Sequence, residues 1–142
     1  MGYTYVYPRP ALTVDAIVIA KLKGENKLLL IQRKNDPFKG KWALPGGFIE
    51  MEETLEEACK RELREETGVE NIEMKQFYVF DEVNRDPRER IISTVYYGFT
   101  NAELPLNGGD DAKEARWFSL ISLPDLAFDH KEVMDKFIRE KL

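Results

Sequence analysis

Residues 46–69 read GGFIEMEETLEEACKRELREETGV, and this stretch fixes a helix, its two ends and an unusual inward face. Thr54 followed three residues later by Glu57 is the reciprocal capping arrangement that opens a helix, and Gly68 is a suitable stop. About four turns lie between them, with Leu55, Ala58, Cys59, Glu62, Leu63 and Glu66 along one face. Two members of that stripe are carboxylates. A carboxylate turned toward a core is costly unless a cation compensates it. Glu62 and Glu66, four residues apart with Glu65 at the edge of the stripe, also repel one another when nothing lies between them. Hard divalent cations that take oxygen ligands, Mg²⁺ or Mn²⁺, meet that need. Glu50, Glu52, Glu56 and Glu57 read instead as solvated or capping charges.

The rest of the composition narrows the function classes. A chain of 142 residues with 43% hydrophobic and 33% charged residues is most economically one globular domain spanning 1–142. Twenty-one basic against 26 acidic residues leave a net charge of −5, which argues against a nucleic-acid binder. An acidic protein that receives an anionic ligand needs cations in its site. No apolar run approaches the roughly 20 residues that cross a bilayer, so no membrane partner is expected. The amino terminus MGYTYVYPRP lacks the basic and apolar regions of a signal peptide, so cytoplasmic residence is expected. The lone Cys59 cannot form an internal disulfide and reads as core packing.

Around the helix the pattern is mostly strand. Residues 12–20 and 27–32 are aliphatic runs separated by Gly24, which predicts a hairpin. A polar loop over 34–41 leads through 42–44 and Pro45-Gly46-Gly47 into a short strand ending near Glu50. Residues 72–83 and 90–100 predict two strands joined by NRDPRE, the stretch 107–111 a loop, and 115–118 a last short strand. Asp129 with Glu132 repeats the capping signature and predicts a C-terminal helix to about Lys141, with Val133, Met134 and Phe137 inward. Such an order implies an α+β sheet covered on both faces.

Gly47, Glu53, Arg61, Glu62, Leu63, Glu65, Glu66, Gly68 and Val69 stand at the spacing of the Nudix box, and at every fixed position the chain resembles that superfamily. The resemblance implies an α/β/α sandwich with a central mixed β-sheet, and water attack on a phosphoanhydride assisted by Mg²⁺ or Mn²⁺. Carried over position by position, Glu62 and Glu66 become direct metal ligands, Glu65 a third ligand or a base, and the Gly46 carbonyl a backbone ligand. Arg61 and Glu53 become a charge pair that orients loop and helix behind Gly47. The family places its general base either in the box or on a later loop. Asp110, Asp111 and Glu114 are the later candidates and Asp111 is favoured, unless GGDD is a plain polar turn.

Outside the box, NRDPRER with its flanks, LAFDHKEV and YPRPALTVDAIV resemble the ADP-ribose pyrophosphatase group. That resemblance implies a small nucleoside diphosphate derivative such as ADP-ribose as substrate, cut to AMP and ribose 5-phosphate. Guanidinium forks suit phosphate and ribose oxygens, which makes Arg85, Arg88 and, more weakly, Arg33 substrate-binding candidates beside the plain reading of solvated or salt-bridged loop residues. His130 reads as structural or capping, and Phe38, Trp42, Phe77, Tyr78 and Phe80 as core rings that include a possible adenine stacker. A nucleoside-triphosphate pyrophosphatase is the alternative enzyme. A non-catalytic ADP-ribose sensor is less in keeping, because such relatives carry a degraded box and a winged-helix domain, whereas only residues 119–142 follow the last expected strand. Tyr3, Tyr5 and Tyr7 would suit a homodimer interface.

Overall fold

The computed structural model of the chain describes residues 2–107 and 112–142. In chain order these form β1 (Ala11–Leu22), β2 (Glu25–Arg33), β3 (Trp42–Ala43), β4 (Gly46–Phe48), α1 (Leu55–Thr67), β5 (Lys75–Phe80), β6 (Ile91–Thr100), β7 (Ala112–Ser119) and α2 (His130–Lys141). The strands make one mixed sheet. Its centre is β1, buried from Thr13 to Ala20 without alternation because both faces are covered. It runs parallel to β6 from Ala11↔Ile91 to Ala20↔Thr100 and antiparallel to β2 around the Gly24 turn, where φ is +78°.

A fork in this sheet positions the site. β1 and β2 pair from Leu22↔Glu25 only as far as Ile19↔Leu28. Beyond that point β2 pairs with β3, through Ile31↔Ala43 and Gln32↔Trp42. β1 pairs instead with β4, through Asp15↔Gly46, Val14↔Gly47 and Thr13↔Phe48. Residues 42–48 are therefore a wedge that crosses from one strand to the other, and the crossover falls at Leu44-Pro45.

One helix seals each face. On one side Val14, Ala16 and Val18 pack with Ala58, Cys59 and Leu63 of α1. On the other Ile17, Ile19, Leu28, Leu30 and Val95 pack with Val133, Met134 and Phe137 of α2. This is the sandwich around a mixed sheet that the sequence led us to expect. Burying Phe137 fully is alone worth about 1.5–3 kcal/mol. Burial pushes the Cys59 thiol up to about 12, which makes it inert packing.

Three local expectations change. The strand expected over 72–83 is only Lys75–Phe80, because Ile72 and Met74 turn into the α1-side core and Asn71 adopts a φ of +61°. The last strand is longer than expected, Ala112–Ser119, since β2 offers a partner along most of its length. Asp129 does precede α2, but its side chain makes no capping bond, for a reason given below. No helix among the described residues is long and apolar enough to cross a membrane.

Candidate active site

The wedge meets α1 at Gly46-Gly47. Thr54 and Glu57 close the reciprocal cap, with Glu57 N–H to Thr54 Oγ1 at 3.1 Å and Thr54 N–H to Glu57 Oε1 at 2.8 Å. Gly68 ends the helix at a φ of +79°. Held at both ends, α1 lays Glu62 and Glu66 against the wedge. The Gly46 amide donates to Glu66 Oε1 at 2.7 Å, and Glu66 is only 7% exposed. A Cβ on Gly47 would lie 2.8 Å from Glu62 Oε2, and one on Gly46 would overlap the Val14 carbonyl oxygen and Asp15 Oδ1. Main chain leaves room only for glycine at position 46, while a side chain at position 47 would displace the Glu62 carboxylate.

Arg61 braces the assembly. Its guanidinium forks onto Glu53 at 2.6 and 2.9 Å, donates to the Phe48 carbonyl at 3.2 Å, and reaches Glu62 at 2.7 Å and Glu65 at 3.3 Å. The bond to Arg61 holds the Glu53 carboxyl below its ordinary range, and the same bonds push the guanidinium up. Loop, wedge and helix are tied through one planar cation. Glu65 lies farther out, with its side chain 52% exposed, and does not line the pocket below.

A cavity of about 270 Å³ opens above Gly46-Gly47. Its lining carries both signs of charge, with Asp15, Glu62, Glu66 and Asp86 beside Arg33, Lys34, Arg85 and Arg88. The arginines are already committed. Arg85 forks onto Asp129 at 2.7 and 2.9 Å, which is why Asp129 does not cap α2. Arg88 forks onto Asp86 at 2.8 and 3.0 Å and lies 5.2 Å from the Phe48 ring centre and 5.1 Å from that of Phe128. Arg33 donates to the Pro37 carbonyl at 2.7 Å and sits 4.9 Å from Phe128. Burial, and then the neighbouring Arg88, lower the Arg33 pKa, while the bond to Asp86 raises that of Arg88.

Asp15 and His130, which also line the cavity, belong to a polar cluster that the sequence reading did not single out. Asp15 is a carboxylate inside an aliphatic strand, 8% exposed, and accepts from the Ser93 hydroxyl. His130 Nε2 is 3.7 Å from Asp15 Oδ2, while Nδ1 accepts the Leu44 amide at 3.0 Å. Burial holds the imidazole neutral by lowering its pKa, against the opposing pull of Asp15. The available signal for Asp15 was its charge amid TVDAIVIA, a residue type that a strand buried on both faces does not carry without partners.

Other expected residues fall elsewhere. Asp110 and Asp111 lie outside the described residues. Glu114 is exposed, accepts from Arg116 at 2.8 Å and does not line the cavity. Of the aromatic candidates Phe38 packs on Phe128, Trp42 on Phe118 and Phe77 on Phe137; the rings that line the cavity are Phe48 and Phe128.

The donor set suits a small hard cation. Among the described residues no three His, Cys, Asp or Glu side chains form a finished cage. Mg²⁺ does not require one, since it is commonly held by one or two carboxylates, retained waters and substrate phosphates. Glu62, Glu66 and the main chain of Gly46 fit that pattern, in a turn kept open by two glycines.

The NUDIX domain family profile matches residues 11–140. An ADP-ribose pyrophosphatase of Methanocaldococcus jannaschii is 47% identical over 137 residues, covering 96% of this chain and 78% of that protein. The ADPR responsive transcriptional repressor NtrR of Acinetobacter baylyi is 33% identical over 135 residues, covering 92% of this chain and 54% of the repressor, so the chain spans about half of that relative. Among solved structures, the NUDIX domain of Shewanella oneidensis NrtR complexed with ADP ribose matches with a TM-score of 0.89 and 29% identity, over 96% of this chain and 91% of that one.

Proposed function

The chain belongs to the NUDIX domain family, and we propose that it is a Mg²⁺- or Mn²⁺-dependent pyrophosphohydrolase that cleaves ADP-ribose to AMP and ribose 5-phosphate. The observation that carries this reading is one cavity lined both by Glu62 and Glu66 at the glycine turn and by guanidinium groups, with Arg88 beside the rings of Phe48 and Phe128. A diphosphate flanked by two sugar-bearing groups suits such a lining. Its phosphates would lie near Glu62 and Glu66, which would hold the cations, and its outer groups would meet the guanidinium groups and rings. The names of the M. jannaschii and S. oneidensis relatives support ADP-ribose in particular.

Bound divalent ions supply charge neutralisation of the diphosphate and of the leaving phosphate. The chain's own residues do the rest. Glu62 and Glu66 would hold the ions, with the Gly46 carbonyl as a backbone donor. Arg61 and Glu53 keep α1 and the loop in register, so that little reorganises as charge develops. Water adds its oxygen to one phosphorus, the anhydride P–O bond breaks, and the leaving phosphate keeps that electron pair. The proton released by the water passes to a carboxylate, for which Glu65, bonded to Arg61, and Asp111 are our candidates. Arg85, Arg88 and Arg33 orient the substrate; Arg88 does so by exchanging part of its contact with Asp86 for the ligand.

The test is product analysis with ADP-ribose, NADH, diadenosine polyphosphates and nucleoside triphosphates, in Mg²⁺ and in Mn²⁺, beside Glu66→Gln. AMP and ribose 5-phosphate released by the wild type and not by the variant is the expected result. Pyrophosphate from triphosphates with ADP-ribose intact would replace the substrate by the alternative class.

A further inference from the structure

The crossover of the wedge poses a hydrogen-bonding problem. Leu44 lies past the last residue paired with β2 and before the first paired with β1. Pro45 has no amide hydrogen, and its carbonyl accepts from the Ala16 amide at 2.8 Å. The amide donors on either side of the proline are both met by side chains. Leu44 N–H goes to His130 Nδ1 at 3.0 Å, and Gly46 N–H to Glu66 Oε1 at 2.7 Å. One acceptor comes from the first residue of α2 and the other from the last turn of α1, so three residues of main chain are gripped from opposite faces of the sheet.

His130 is itself held. The ring is 3% exposed, its Nε2 faces Asp15 Oδ2 at 3.7 Å, and the same oxygen takes the Ser93 hydroxyl. Asp15 in turn abuts Gly46, leaving no room there for a Cβ. The chain of contacts runs from Ser93 on β6 through Asp15 on β1 to His130 on α2 and back to the wedge. Buried amides left unpaired are costly, so these side chains decide where the crossover settles.

We propose that His130, Asp15 and Ser93 are positioning residues that fix the Leu44-Pro45-Gly46 crossover and, through the Gly46 amide, set the orientation of Glu66 for metal binding. The inference rests on the metal-dependent reading of the site. It assigns to the α2 side of the sheet a part in metal affinity that none of the Nudix-box residues supplies. None of the three needs to touch metal or substrate. Groups one step behind a ligand typically alter metal affinity about 10- to 100-fold when removed.

The experiment is Mn²⁺ binding to the full chain without substrate, by calorimetry and by the loss of free-ion paramagnetic resonance signal, for wild type, His130→Ala, His130→Asn and Ser93→Ala. Melting temperature, kcat and the KM for ADP-ribose at saturating Mn²⁺ are measured beside it. We expect His130→Ala to weaken Mn²⁺ binding about 10-fold or more, with KM unchanged at saturating metal. His130→Asn should restore most of the affinity, since a carboxamide oxygen accepts near the place of Nδ1, and Ser93→Ala should show a smaller loss. A lower melting temperature with unchanged Mn²⁺ affinity in both alanine variants would overturn the proposal and leave these residues as packing. If His130→Ala does not fold, Ser93→Ala and His130→Asn decide by the same readout. Wild-type protein that binds Mn²⁺ without cleaving ADP-ribose would refute the substrate reading only, because the affinities of the variants would still decide this one. Failure of wild type to bind Mn²⁺ would overturn both.

Discussion

The two helices carry the same start signal, Thr54 with Glu57 and Asp129 with Glu132, yet the structure uses it in one and diverts it in the other. At α1 the reciprocal cap closes within four residues, and among the described residues nothing distant competes for Thr54 or Glu57. At α2 the Asp129 carboxylate is taken by Arg85, 44 residues away, and the helix opens on a histidine that serves the wedge. α1 is thus a locally specified element that brings carboxylates to the site. α2 starts as part of the site's own scaffold, its cap given up to anchor the loop between β5 and β6. A capping box predicts a helix start reliably, and its hydrogen bonds only where no stronger partner is within reach.

That contrast can be broken at several points. The largest effect belongs to the working face of α1: Glu66→Gln should lower kcat about a thousandfold while the melting temperature stays near that of wild type. Next is the diverted cap. Arg85→Ala leaves Asp129 without its ion-pair partner and should cost about 3 kcal/mol in denaturant unfolding. In that background Asp129 is released to cap α2, so adding Asp129→Ala should cost about 1 kcal/mol more, and no added cost would show that α2 does not use a cap even when offered one.

His130 gives a pH signature to the α2 side. Burial sets its folded pKa below the unfolded value of about 6.5, so on acidification the unfolded chain takes up a proton before the folded one does. The His130 contribution is complete above about pH 6.5, and falls below it by up to about 1.4 kcal/mol per pH unit until the folded pKa is reached. Unfolding curves between pH 7.5 and 5 should show this slope, and His130→Asn should remove it. The smallest effect is Thr54→Ala, about 1 kcal/mol of stability with kcat unchanged, since the local cap does not touch the cavity.

What could be read from the sequence follows the same division. The limits of α1 and the alternation of its face were legible because caps, periodicity and the glycine stop all act within one stretch. The hairpin of β1 and β2 was legible for the same reason, whereas the grouping of Glu62 and Glu66 with Gly46 was implied by the resemblance to the Nudix box. The fork was not legible. Strand limits at 42–48 show two short strands, whereas the exchange of partners between β2 and β1 depends on where all three lie. Nor were the Asp15 contacts, whose partners stand 78 and more residues away on β6 and α2. Arg85 and Arg88 were visible as cations in an acidic chain, but their commitment to Asp129 and Asp86 required the folded loop.

The crossover at Leu44-Pro45-Gly46 makes two backbone amides into separate gauges. The Leu44 nitrogen reports on an imidazole and the Gly46 nitrogen on a carboxylate, with a proline between them that contributes no signal of its own. In a ¹⁵N-labelled sample, a metal titration that perturbs Glu66 should move the Gly46 cross-peak most. A change confined to the far side of the sheet should move that of Leu44. The relative size of the two shifts would then show which side of the crossover a disturbance acts on.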